Sequence, residues 1–128
     1  MAQDNLLTAC DVTFHTLDDD KDRYTHVTIT VRNGAKEEVA SIDDDFGYFA
    51  ANSNNGPFNL SIVKQVPKST FGANGWVNIR IDPSNEFDTW TFNLKLGLVF
   101  TDGKSLNANE NEIELTAERR EHNIPIAD

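Results

Sequence analysis

Cysteine is almost missing from this chain. Cys10 is the only one in 128 residues. An intrachain disulfide is therefore excluded, and so is a cysteine-built zinc centre. The compartment stays open, because a domain of this length can bury enough surface to fold without crosslinks. Long apolar runs are missing too: no stretch approaches the ~20 apolar residues of a membrane helix. Residues Met1 to Cys10 carry neither a basic start nor an apolar run, so no signal peptide is visible. We expect a cytoplasmic protein, or a secreted one whose signal has been removed.

Basic residues are scarce. Eleven Lys and Arg stand against 21 Asp and Glu, giving a net charge of −10. Phosphate recognition needs clustered Lys and Arg, so nucleic acid is excluded as the expected partner. The same charge opposes direct docking on an anionic membrane unless a cation inverts the local field. The chain also lacks a Gly-x-Ser-x-Gly elbow, a phosphate-binding glycine loop and a His-Glu-x-x-His helix. Cys10 has no partner nearby in sequence to make it a nucleophile. We therefore expect no enzyme.

What is present is period-two alternation, and no segment sustains a helical period of 3.6. Val27, Ile29 and Val31 alternate with polar residues between Thr25 and Asn33, and Val77, Ile79 and Ile81 repeat the pattern. Trp90, Phe92, Leu94, Leu96, Leu98 and Phe100 lie at strict period two, which places six apolar side chains on one face of a long strand bending near Gly97. Phe58, Leu60 and Ile62 predict another strand, and Ile113 and Leu115 a further one. Asn33-Gly34 and Thr101-Asp102-Gly103-Lys104 mark turns. Asp43 to Pro57 reads as a long loop, and Glu118 to Glu121 as a short helical or irregular tail. Many short strands separated by turns predict an all-β, two-sheet antiparallel sandwich of about eight strands. It forms a single domain over residues 1–128, with its core over about 11–118.

The chemistry concentrates in acidic loops. Leu17-Asp18-Asp19-Asp20-Lys21-Asp22 lies between two predicted strands, and Asp43-Asp44-Asp45 follows the next. Four carboxylates in five residues repel one another unless water or a cation compensates them. The spacing Asp18-x-Asp20-x-Asp22 opens like an EF-hand, but Arg23 stands where that loop needs glycine and Ile29 where it needs glutamate. Calcium wants six to eight oxygens, so loops must converge at one sandwich edge. The expected ligands are Asp18, Asp20 and Asp22 with Asp43, Asp45 and Asp88; solvated acidic loops are the plainer alternative. Trp76 and Tyr48 are candidate ligand-binding aromatics at loop rims, whereas Phe46 and Phe49 are expected to cap the core. His15 and His26 should face outward and, on neighbouring strands, lie close together near the first acidic loop.

The order of these features resembles the PLAT domain, the lipoxygenase-homology sandwich family related in shape to C2 domains. The resemblance spans Asp11 to Leu106. It is carried by the opening strand with its acidic loop, Thr25 to Val31, Gly56-Pro57-Phe58-Asn59-Leu60, Gly75-Trp76-Val77-Asn78-Ile79-Arg80-Ile81 and Asp88-Thr89-Trp90-Thr91-Phe92-Asn93-Leu94. It implies a module that recruits proteins to membranes or to partner proteins, sometimes through calcium held by loops like Leu17 to Asp22 and Asp82 to Asp88. The expected function is a non-enzymatic, calcium-dependent binding module for a membrane lipid or membrane-associated protein. The alternative is a carbohydrate-binding, lectin-like sandwich whose partner is a glycan.

Overall fold

β-Branched and aromatic residues at period two favour a pleated surface that buries one face. The computed structural model, which describes residues 6–71, 74–83 and 89–127, consists of strands and turns built on that rule. Nine strands are described: β1 Leu7–Thr16, β2 His26–Arg32, β3 Glu38–Asp44, β4 Asn54–Asn59, β5 Ser61–Ile62, β6 Trp76–Asp82, β7 Thr89–Phe100, β8 Ser105–Thr116 and β9 Glu121–Pro125. They form two antiparallel sheets, ordered β4-β1-β7-β8 and β5-β3-β2-β6-β9.

The inner faces meet as a continuous apolar core. All six alternating residues of β7 are buried, as are Val27, Ile29 and Val31 of β2 and Val77, Ile79 and Ile81 of β6. Each such side chain contributes roughly 1.5–3 kcal/mol of burial against chain entropy. The pairing of β7 shows no irregularity at Gly97; its register shifts lie between Phe92 and Leu94, where β8 carries an extra residue, and opposite Leu7 to Ala9 of β1.

Four expectations change. Residues 118–120 are irregular rather than helical, but they do not end the fold: they lead into β9, which pairs with β6 and buries Ile124. The core therefore reaches from Leu7 to Ile126, beyond 11–118. Phe58, Leu60 and Ile62 do not share one strand. β4 pairs with β1 and β5 with β3, so the chain passes from one sheet to the other at Leu60. The stretch expected as loop already enters β4 at Asn54. Its Asn, Gly and Pro residues are tolerated because β4 is an edge strand, free of a second partner. Gly56 lies there at φ +119°, and a Cβ would sit 2.8 Å from the Val12 carbonyl oxygen.

One end of the sandwich gathers the ends of β1, β3 and β6 and the starts of β2 and β7. The residues after Thr16 and after Asp44 meet there, joined by backbone hydrogen bonds between Lys21 and Phe49.

Candidate functional site

Beneath that end lies an aromatic plug. The Phe14 ring centroid is 5.9 Å from Phe46, 5.8 Å from Phe49, 5.2 Å from Trp90 and 6.0 Å from Phe92. Strict alternation would send Phe46 and Phe49 to opposite faces. Left-handed backbone at Phe46 (φ 58°) and Gly47 (φ 82°) breaks the period, so both rings turn inward. Phe49 is buried and Phe46 packs against the core, as their capping role requires. Tyr48, between them, is left projecting at 53% exposure.

The loop over residues 17–25 is stitched down on both sides. Leu17 donates to the Thr91 carbonyl at 2.8 Å, and Thr91 donates to the Asp19 carbonyl at 3.2 Å. Lys21 and Phe49 exchange two backbone hydrogen bonds of 3.0 and 3.1 Å. The Lys21 side chain then turns inward and is only 1% exposed. Its ammonium donates to the carbonyls of Asp22 (3.0 Å), Gly47 (2.7 Å) and Asp45, and lies 5.2 Å from the Phe49 ring centroid. A buried ammonium is tolerated only when its protons are satisfied, and here two loops supply carbonyl oxygens while a ring face adds cation–π attraction. It is the central cation of the acidic end.

Four of the six carboxylates expected to share a metal bond to groups within the chain. The Asp22 carboxylate accepts from the Tyr24 backbone N–H at 2.8 Å. Asp20 accepts the Tyr48 hydroxyl proton, and this bond pushes the Tyr48 phenol above its ordinary value by favouring the protonated form. Asp43 and Asp45 both bond to His26, one at each ring nitrogen. The hydrogen bond to Asp45 leads in pushing the His26 imidazole above 6.5, with the charges of Asp43, Asp45 and Asp82 adding to it and burial opposing. Asp18 is exposed. Asp88 lies outside the described residues. Among the described residues no three His, Cys, Asp or Glu side chains are grouped as a metal site.

Between these loops opens a cleft of about 630 Å³. Asp19, Asp20, Asp22, Tyr24 and Tyr48 line it, and Trp90 lies at its floor. Tyr24 is 69% exposed, so two phenol rings stand at the rim of an acid-lined hollow. Arg23 supplies a basic side chain on the same wall. Trp76 is elsewhere. It begins β6, whereas the cleft lies beyond the other end of that strand, ~20 Å away for seven residues. Nor do His15 and His26 meet, because β1 and β2 belong to different sheets. His15 bonds to Asn54 at 2.6 Å on the outer face of its own sheet. Cys10 is buried, and desolvation chiefly pushes its thiol up to about 12, with Asp11 adding to the rise. At neutral pH it is a protonated core residue, not a nucleophile.

Two residues of this site escaped sequence reasoning. Lys21 sits within the acidic run, where its single positive charge was the signal. Tyr24 follows the run directly, and an aromatic residue beside four aspartates was the corresponding clue. No family model and no curated protein matches the chain.

Proposed function

We propose that the chain is a non-enzymatic binding module that takes a hydroxyl-rich ligand, a glycan, in the cleft at the acidic end of the sandwich. The observation that carries this reading is the pair of exposed phenol rings, Tyr24 and Tyr48, at the rim of a cleft lined by Asp19, Asp20 and Asp22. Tyrosine rings offer flat apolar faces to the C–H face of a sugar, and carboxylates accept from its vicinal hydroxyls. The loops are cross-bonded before any ligand arrives, so little ordering entropy opposes binding.

The lipid reading is less favoured by the same geometry. The described rim displays Tyr and Asp rather than a tip of aliphatic residues, and an anionic headgroup would meet a chain of net charge −10. Calcium at this edge, with Asp18, Asp20 and Asp22 as ligands, stays within the proposal as a bridge between protein and sugar hydroxyls.

The test is a glycan array probed with wild-type protein, once in millimolar calcium and once in chelator. Retention on a defined glycan class, lost in a Tyr24→Ala, Tyr48→Ala double variant, supports the reading. The calcium arm shows whether a metal takes part. A Trp76→Phe variant leaves Trp90 as the only indole, so a ligand in the cleft should shift its emission. Absence of retention, together with calcium-dependent cosedimentation on phosphatidylserine vesicles, would overturn the glycan reading in favour of the membrane.

A further inference from the structure

The outer face of the four-stranded sheet is not flat. A groove of about 380 Å³ crosses it, lined by residues other than those of the acidic cleft. Its lining follows from register. On one row, Asn54 of β4, His15 of β1 and Asn93 of β7 lie side by side. On the next, Thr13 of β1, Lys95 of β7 and Asn109 of β8 do the same. Asn111 completes the wall. A row across four strands spans ~14 Å at ordinary strand spacing.

A bulge shapes the hollow. Between the pairs Phe92–Ile113 and Leu94–Glu110, β8 carries one residue more than β7. Glu112 takes φ 59° there, and its backbone N–H donates to the Asn93 side-chain oxygen at 2.9 Å. Bulges bend a strand and re-aim its side chains, and they recur beside functional sites.

We propose that this groove binds a neutral oligosaccharide, as a second contact area beyond the cleft. The choice of ligand class comes from the chemistry of the lining. Carboxamides both donate and accept, which matches hydroxyls that do the same, whereas an anion calls for donors alone and a cation for acceptors alone. Among the described residues no carboxylate lines the groove, in a chain that holds 21 of them. Asp11 at one side and Glu114 at the other flank it along β1 and β8, and they repel anionic chains. His15 adds a further polar ring: its Nδ1 donates to the Asn54 side-chain oxygen, which leaves Nε2 for a ligand. Asn109, Asn111 and Lys95 are exposed and keep their polar groups turned to solvent.

The proposal shares its ligand class with the glycan reading of the cleft but rests on different residues, so the two can fail separately. The isotope-labelled 128-residue chain is titrated with cellohexaose, xylohexaose, mannohexaose and chitohexaose, with tri-galacturonate as the anionic comparison, and followed by amide chemical shifts. We expect at least one neutral hexamer to move the signals of Thr13, Lys95, Asn109 and Asn111. An Asn109→Ala, Asn111→Ala double variant should then bind about tenfold more weakly or worse, through loss of two hydrogen bonds, at an unchanged melting temperature. Lys95→Met serves as a second variant should the first disturb the edge strand. Shifts confined to Tyr24, Thr25 and Tyr48 would leave the cleft reading standing and overturn the groove. Preferential binding of tri-galacturonate at the groove would overturn the ligand class, and no groove shift with any of the four neutral hexamers would overturn the proposal.

Discussion

Replacing Lys21 by methionine keeps the length and apolar stem of the side chain and removes only the ammonium. The carbonyls of Asp22, Asp45 and Gly47 then face a thioether that donates nothing. An orphaned buried acceptor costs about 1–3 kcal/mol. The Asp22 carbonyl keeps the Thr25 N–H at 3.2 Å, so two are orphaned, those of Asp45 and Gly47; near the surface, where water can enter, they call for about 3 kcal/mol together. Breaking a buried charge network by removing one partner gives a similar figure, about 3–5 kcal/mol. A chain of 128 residues lies between the size classes for which 1 kcal/mol moves the midpoint by ~4–8 °C and ~2–4 °C, so the melting temperature should fall by ~10–20 °C. The assay is thermal unfolding followed by near-ultraviolet circular dichroism, where Trp90 above the aromatic plug reports on the acidic end. Lys104→Met, at a half-solvated pair with Asp102, is the control and should change little, within ~0.5 kcal/mol. Should Lys21→Met melt within ~2 °C of wild type, a margin well inside the shift expected here, the buried ammonium does not hold the loops together and the reasoning fails.

Three further outcomes follow from the same structure. Because the folded His26 imidazole sits above its ordinary 6.5, its clamp on Asp43 and Asp45 should stabilise fully below pH 6.5 and be lost as pH rises through the elevated value. Wild type minus His26→Gln, compared by urea midpoints from pH 5 to pH 9, should shrink steadily with pH; a constant gap would sink the assignment. Cys10 should resist a disulfide-exchange reagent in the native state and react fully in urea, since burial holds its thiol protonated at about 12; rapid native labelling at pH 8 would contradict this. Trp90→Phe should destabilise by about 1–3 kcal/mol in chemical unfolding, because the Thr16 hydroxyl, buried and bonded to the indole N–H at 3.1 Å, loses its partner.

Much of the sandwich was legible along the chain because burial writes itself as period two. Trp90 to Phe100 and Val27 to Val31 announce one-sided strands whatever they pair with. The tail was not legible. Residues 121–125 hold one buried apolar residue, Ile124, and become a strand only because β6 leaves an open edge for them. Phe58 to Ile62 misled for a related reason: alternation reports which side chains are buried, not which sheet buries them. At the acidic end, sequence supplied the loops and the topology did bring them together. It could not show that carboxylates there would take up other partners, Asp43 and Asp45 sharing His26 and Asp20 bonding to Tyr48. Charge adds along a chain, but hydrogen bonds depend on direction. Only the packed structure turns Lys21 inward, because only there do the carbonyls of two separate loops converge on a single ammonium.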